Sequence, residues 1–298
     1  MSRLLGIGCG QLAGSAEILL VEALRAGAAE GAEVELVRLE ELRIPSGPDA
    51  PEPDDAWWLW DKLVECDALI VSTPIISRTV AARLKLVADR LLGPNADAAI
   101  IDALVAAKRA GQDPGVPFRV DERVLKPRVA GFIAVGGSLT SQWKTLALPT
   151  LHTVTFSMHM AVVDQVQFEG AGTPQSIVLQ PQAIARARRL GRNVATQIGR
   201  AFADAEYRGD EGLCPLCHLD VVTLRGSEVE CATCGARGVL EGGTVRWTEL
   251  DTSVISMTEK RNHFAEIRET AARHAEQREA IDAAAGAYAF DRVARPER

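Results

Sequence analysis

Residues 67–92 read DALIVSTPIISRTVAARLKLVADRLL, and two periodicities meet inside them. DALIVSTP (67–74) is an apolar run of strand length, stopped by proline. TVAARLKLVADRLL (79–92) carries apolar residues at helical spacing. The same alternation extends outward in both directions. Upstream, Arg3–Gly8 predicts a short buried strand, 14–28 a helix carrying Ile18, Leu19, Val21 and Leu24, GAEVELVRL (31–39) a second strand, and AWWLWDKLVEC a helix that Asp54 or Asp55 can cap, after a proline-rich loop at 47–55. Downstream, RVAGFIAVGG (128–137) is an apolar strand closed by glycines, 143–157 a helix, MAVVDQVQF (160–168) a strand, and 182–204 a long helix. Strands alternating with helices imply a mostly parallel sheet covered on both faces, a doubly wound α/β fold.

The 298 residues are 47% hydrophobic and 24% charged, ordinary for a globular chain that buries a sizeable core. A net charge of −7 argues against nucleic acid or an anionic membrane as partner. MSRLLGIGCG has too short an apolar stretch for a signal peptide, and no run is long enough to span a membrane. The expected location is cytoplasmic, where six cysteines are ligands or free thiols rather than disulfides.

A doubly wound sheet places ligand loops at the carboxyl ends of its strands. Three stand out: GCGQLAGSAE (8–17), STPIISR (72–78) and GGSLTSQW (136–143). The first follows a strand and opens a helix, so its N–H groups and the helix dipole suit a phosphate, with a hydroxyl from Ser15. Gly8, Gly10 and Ala13 also fit G-x-G-x-x-A, the dinucleotide fingerprint. That fingerprint wants an acid at the end of the second strand, and Glu40 lies late for it.

The second loop and its helix, TPIISRTVAARLKLVADR, resemble the flavodoxin-like NAD(P)H-dependent FMN reductases, with Thr73, Pro74, Leu84, Lys85, Asp89 and Arg90 in register. GSAEILLVEAL (14–24) and the Gly-Gly-Ser turn at 136–138 are similar to the family's first helix and third flavin loop, so the resemblance spans roughly 3–205. It implies a flavodoxin-like fold, FMN as cofactor and NAD(P)H as donor. The implied flavin contacts are Cys9, Gln11, Ser15 and Ala16 in the first loop, Pro74, Ile75, Ile76, Ser77 and Arg78 in the second, and Gly136, Gly137 and Ser138 in the third. Backbone N–H groups of 74–78 are expected at the flavin ring. The chain departs from the family pattern in Cys9 for serine, Gln11 for arginine, Ala16 for a hydroxyl residue or asparagine, and Ile76 for a ring-covering aromatic. Without the arginine, the phosphate rests on N–H groups, Gln11 and Ser15.

Residues 91–126 form an insertion relative to compact members. They include a short helix within ADAAIIDALVAAKRAG and read either as a lid or substrate wall, or as a peripheral decoration or subunit contact. Trp57, Trp60 and Val64 share one helical face, expected at a dimer interface, while Trp58 points elsewhere. Trp143, beside the third loop, is a site candidate; His152 and His159 read as core histidines.

CPLCHLDVVTLRGSEVECATCG (214–235) holds two Cys-x-x-Cys pairs. Cys214, Cys217, Cys231 and Cys234 can wrap one ion tetrahedrally, with the intervening segment as a hairpin turning near Gly226, the layout of a zinc ribbon. Iron in the same four thiolates is the less favoured alternative. CPLCH also spells a haem-attachment motif with His218 as ligand, which leaves the second pair unexplained, and a redox-active pair lacks its βαβ context. Three Lys+Arg against four Asp+Glu over 213–248 leave the ribbon no nucleic-acid footprint, so its role is structural. A last helix opens with SMTE, a capping box at Ser256 and Glu259. It bears an apolar stripe of Phe264, Ile267 and Ala271, and RVARPER frays beyond it.

The sequence therefore predicts three units: a flavodoxin-like FMN domain (1–208), a zinc ribbon (209–250) and a C-terminal helical extension (251–298). The expected activity passes hydride from NAD(P)H through FMN to free flavin or to a quinone, nitro or enone acceptor. A partner oxygenase is the receiver in the first case, and a homodimer or larger homo-oligomer is expected. The alternative is a non-catalytic binding or assembly protein on the same flavodoxin scaffold, using the zinc ribbon for partner contacts.

Overall fold

The structure, a computed structural model, describes residues 2–47 and 53–288. The chain opens with β1 (Arg3–Gly8), α1 (Ser15–Ala29), β2 (Glu33–Arg38), α2 (Ala56–Glu65), β3 (Ala68–Pro74), α3 (Ala82–Leu91) and α4 (Ala98–Arg109). It continues with β4 (Val129–Val135), α5 (Ala147–His152), β5 (Ala161–Phe168) and α6 (Pro181–Ala195). All five strands pair in parallel in the order β2-β1-β3-β4-β5. That order is the flavodoxin-like one, with its switch point between β1 and β3. β3 and β4 are buried along nearly their whole length, which is why they read as unbroken apolar runs.

Two cores flank the sheet. On one face α1 and α6 pack Leu19, Leu20 and Leu24 against Leu190 and Val194. Their backbones touch: a Cβ on Gly191 would stand 1.9 Å from the Ala23 carbonyl oxygen, so only glycine fits there. On the other face α2, α3, α4 and α5 contribute Leu59, Trp60, Leu63, Leu84, Ile101 and Leu151. Trp60 and Val64 are therefore core residues, not interface ones, and the Trp60 indole donates to Asp121 at 3.1 Å. Trp57 and Trp58 remain exposed. Asp54 accepts from Ala56 N–H at 2.9 Å, while the Asp55 carboxylate takes Arg43 N–H instead.

Two helices differ from expectation. The stretch 143–157 breaks into a 3-10 turn (Ser141–Trp143), α5, and a run of turns leading to β5. The helix expected over 182–204 stops at Ala195, because the chain reverses at Gly199, whose φ is +86°. The insertion is not a lid. Its helix α4 buries Ile101 and Val105 in the second core, and Ala98 N–H bonds Ser157 O at 2.8 Å, at the end of the sheet away from the strand-end loops.

A second sheet is antiparallel, in the order β6 (Val222–Arg225), β7 (Glu228–Cys231), β8 (Arg237–Glu241), β9 (Thr244–Glu249). The β6–β7 hairpin turns at Gly226, as expected; the β8–β9 hairpin turns on Gly242 and Gly243, both at positive φ. Gln165 of β5 donates to Cys217 O at 2.7 Å, and Leu148 packs on the cysteine cluster, so this sheet is docked on the first. The second knuckle holds the following segment through Val254 N–H to Cys234 O at 2.9 Å. Then come α7 (Met257–Glu276), capped by Ser256 Oγ accepting from Glu259 N–H, and α8 (Arg278–Ala285). α7 packs against α4, with Phe264 half-buried and Ile267 exposed. The proline-rich stretch at 48–52 and the terminal RVARPER lie outside the described residues. Among the described residues no helix is long and apolar enough to cross a membrane.

Candidate functional site

The ends of β1, β3 and β4 bring the three strand-end loops to one end of the sheet. In the first, Gly10 lies against the Pro74 ring, where a Cβ would come within 2.9 Å of Pro74 Cδ. Ala13 holds a positive φ of 55°, and its N–H donates to the Glu17 carboxylate, which also takes the Arg38 guanidinium from the end of β2. This strut fixes the loop and neutralises Glu17. The first helical bond of α1 is Ile18 N–H to Gly14 O, so the N–H groups of Ser15, Ala16 and Glu17 lie ahead of it, and no side chain caps them. Ser15 Oγ is buried with no partner among the described residues. An uncapped helix start with an orphan hydroxyl is an anion cradle, so the residues present fit a phosphate. Gln11 is exposed at its lip.

Cys9 departs from expectation. Its thiol is fully buried in the same core as Leu5 and Ile7, and burial, reinforced by Glu40, pushes its pKa up, so it cannot touch a ligand. The Ala16 side chain is buried too, and only its N–H faces the cradle. Glu40, the late acid of the dinucleotide reading, pairs with Arg83 at 2.8 Å.

The second loop is a two-residue reversal. Ile76 and Thr79 exchange N–H···O bonds of 2.9 and 3.1 Å across Ser77 (φ 49°) and Arg78 (φ 75°). Two non-glycine residues at positive φ store strain, a feature of functional turns. The turn also narrows the backbone available to a ring. Pro74 has no N–H, Ile75 N–H bonds Val135 O at 2.8 Å, and Ile76 N–H bonds Thr79 O, which leaves the N–H groups of Ser77 and Arg78. Arg78 Nε donates to Gln142 O at 2.6 Å and clasps the second loop to the third.

In the third loop Gly136 gives room to Ile75, since a Cβ would fall 3.2 Å from Ile75 Cδ1. Gly137 lets the stretch after β5 approach, its Cβ position being 2.8 Å from Gly172 Cα. Ser138 Oγ pairs with Thr140 Oγ1 at 3.1 Å. Around the mouth Leu12, Ile76 (54% exposed), Leu139 (73%) and Trp143 (59%) present apolar side chains to solvent. The sequence reading missed the Glu17–Arg38 strut, the Arg78–Gln142 clasp and the fourth strand-end loop, FEGAGTP (168–174); the two glycines of that loop were a signal for it.

The four cysteines form a second site. Their Sγ atoms all lie within 4.8 Å of one another, with Cys214–Cys234 at 3.5 Å and Cys217–Cys231 at 3.4 Å, and none is in a disulfide. Four thiolates around a tetrahedral ion at a Zn–S distance of about 2.3 Å stand about 3.8 Å apart, so this donor set fits. His218 and Gly235 hold the same place in the two knuckles, one residue after the second cysteine, and both adopt positive φ. The His218 imidazole stacks on Tyr207 at 3.6 Å and bonds Glu211 at 3.1 Å, which accounts for it without haem.

A 2-1-3-4-5 parallel sheet with an anion cradle after β1 and two flanking strand-end loops defines a flavodoxin-like nucleotide-cofactor scaffold. The family model of the NADPH-dependent FMN reductases matches residues 2–173. A flavone synthase, cfoJ of Aspergillus candidus, is 39% identical over 256 residues, 79% of this chain and 77% of that protein. A solved flavone reductase superposes with a TM-score of 0.81 at 29% identity, covering 99% of this chain and 100% of its own. The chain belongs to the NADPH-dependent FMN reductase family and is an oxidoreductase of the NAD(P)H–FMN type. The four-cysteine sheet and α7 lie beyond the family model, yet within the span shared with the flavone reductase structure.

Proposed function

We propose that FMN lies across the three loops and passes reducing equivalents from NAD(P)H to a planar, aryl-conjugated enone. The Ser15–Glu17 N–H groups, the Ser15 hydroxyl and Gln11 hold the phosphate. The Pro74–Arg78 turn, with the free N–H groups of Ser77 and Arg78, and Gly136–Ser138 hold the ring. Bound FMN supplies the two-electron chemistry, accepting hydride from NAD(P)H and delivering it onward. The chain's own work is positional: the Glu17–Arg38 strut shapes the cradle, Arg78 locks two loops together, and Gly10, Gly136 and Gly137 let the loops close on Pro74, Ile75 and Gly172.

One observation carries the choice of acceptor. Ile76, Leu139 and Trp143 line the mouth with apolar surface and leave it uncovered, which suits a flat, poorly hydrated molecule. Two relatives are named for flavones, whose central ring conjugates a carbon–carbon double bond with a ketone. In the reductive direction NAD(P)H and a proton add two hydrogens across that bond. The test is NADPH oxidation with flavone as acceptor and product analysis. Flavone should gain two hydrogens, and Trp143→Ala should raise its KM about tenfold with FMN affinity unchanged. NADPH consumption only with free FMN, and unaltered flavone, would defeat the reading.

A second reading has one observation behind it. The first loop contains no Lys or Arg, and Arg38 is engaged by Glu17 and Glu41. FMN would then be a diffusing substrate, delivered reduced to a partner oxygenase, and the same assay separates the two.

We further propose that Cys214, Cys217, Cys231 and Cys234 hold zinc, with iron the alternative, and that the ion is structural. The chain then divides as 1–208, 209–250 and 251–298. Exposed Trp57 and Trp58 favour a homodimer through α2, and six cysteines without a disulfide among them favour the cytoplasm.

A further inference from the structure

Two basic side chains stand in or beside the strand-end loops, Arg78 and Lys144. Lys144 pairs with Glu169, which ties the third loop to the fourth. Behind the loops, Arg38 and Arg83 are likewise paired, with Glu17 and Glu40. Arg78 has no carboxylate partner among the described residues. Its Nε donates to Gln142 O at 2.6 Å, and no other nitrogen of the guanidinium has a partner among the described residues. Both Nη groups therefore keep donors to offer.

The side chain is fixed from two directions. At its root, the Ile76–Thr79 pairing closes the turn, and Thr79 Oγ1 bonds Thr150 Oγ1 of α5 at 2.8 Å. At its tip, Gln142 belongs to the 3-10 turn Ser141–Trp143, and Lys144 on the far side of Trp143 is held by Glu169. The guanidinium thus stands at the rim, at the residue before Trp143, and not at the floor made by Gly136 and Gly137. Arg78 holds a φ of 75°, which glycine adopts without strain, so the side chain is kept against the backbone preference. Exposed Ile76 and Trp143 flank it in sequence, one on each loop that it joins. A rigidly held cation without a counter-ion, beside apolar surface, suits a flat ligand on which negative charge develops. A phosphate ester suits it less, because Lys144 is already neutralised and offers no second cation.

We propose that the Arg78 guanidinium donates to the ketone oxygen of the acceptor and stabilises the negative charge that forms there, a role that rests on the enone reading above. Hydride derived from NAD(P)H forms a C–H bond at the β-carbon and opens the carbon–carbon π bond. The electron pair spreads over the α-carbon and the ketone oxygen as an enolate. A proton from water then forms the second C–H bond, at the α-carbon. NAD(P)H is oxidised by two electrons and the enone reduced by two. A donor aimed at developing charge acts on kcat, whereas the clasp between the loops acts on KM.

The test uses the full chain loaded with FMN and two acceptors, flavone and ferricyanide. Ferricyanide takes electrons without a carbonyl to polarise. Arg78→Gln should lower kcat for flavone about hundredfold more than kcat for ferricyanide, and Arg78→Lys should fall between, since it keeps the charge without the fork. A second readout needs no turnover. Without NAD(P)H, 3-hydroxyflavone is bound to the protein and titrated by its spectrum, because its anion shares charge with the ketone oxygen as the enolate does. The bound probe should ionise about one pH unit lower than in buffer, and Arg78→Gln should remove that difference. Equal losses with both acceptors, or the same ionisation in variant and parent, would overturn the role of Arg78 and leave flavone reduction standing. Flavone untouched by the unaltered protein, beside rapid ferricyanide reduction, would remove the enone reading and this inference with it.

Discussion

Ser15 joins two requirements in one side chain: its hydroxyl is buried without a partner, and it stands at the uncapped start of α1. The two have opposite signs for stability. Ser15→Ala removes an unsatisfied group from the free protein, so its melting temperature should hold or rise. On the proposed binding mode the same change also removes a phosphate contact, and it should weaken FMN binding about tenfold in a fluorescence titration. Arg186 is a different case. It forks onto Asp164, which is fully buried, at 2.6 and 3.1 Å, with Asn193 adding 2.8 Å. Arg186→Met strands a buried carboxylate and should cost about 3–5 kcal/mol in denaturant unfolding. Cys9 shows what could be read at this scale. The period-two alternation of Leu5, Ile7 and Cys9 already put the thiol on the core face, and the loop motif drew attention away from it. Ser77 and Arg78 show what could not: neither residue favours positive φ, and only the Ile76–Thr79 pairing imposes it.

At the scale of elements, β1, β3 and β4 were legible because a strand buried on both faces has no polar interruption. The end of α6 was not. Its helical spacing continues past Ala195, while the chain turns at Gly199 to send Phe202 onto His159. Tertiary contact settled that boundary, not local pattern. The α5–β5 connection that receives Phe202 should also be the acid-sensitive part of the fold. Desolvation lowers the His159 pKa to about 4 from the ordinary histidine value, so the unfolded chain binds the extra proton first. Stability is therefore complete above about pH 6.5 and is lost as pH falls toward 4. The melting temperature should decline across that window, and His159→Phe should flatten the decline. The loops have their own test in the clasp from Arg78 to Gln142. Arg78→Ala frees the second loop from the third and should raise substrate KM several-fold with little change in melting temperature, because the bond is exposed.

The molecule as a whole is two sheets and a helical arm, and its polar ties include Gln165 to Cys217 O between the sheets and Val254 and Thr252 to Cys234 O and Gly235 O toward α7. The cysteine spacing made the four-thiol cluster legible from sequence, since knuckle geometry is local. Its docking on β5 was not, because the joining residues lie about fifty positions apart. With an ion in the cluster, Cys231→Ser should release it and destabilise the second sheet, leaving flavin absorption of the folded fraction unchanged. Retained metal and an unaltered melt would refute a structural ion. At the other end of the molecule, the strand-end loops proposed to hold FMN carry an exposed apolar rim. The most direct measurement is an anaerobic single turnover: the FMN-loaded protein is reduced with one equivalent of NADPH, mixed with flavone, and its visible absorption followed. Return of the oxidised flavin bands in step with formation of the two-hydrogen-reduced product is the predicted result. Flavin that stays reduced beside intact flavone until oxygen is admitted would contradict the account.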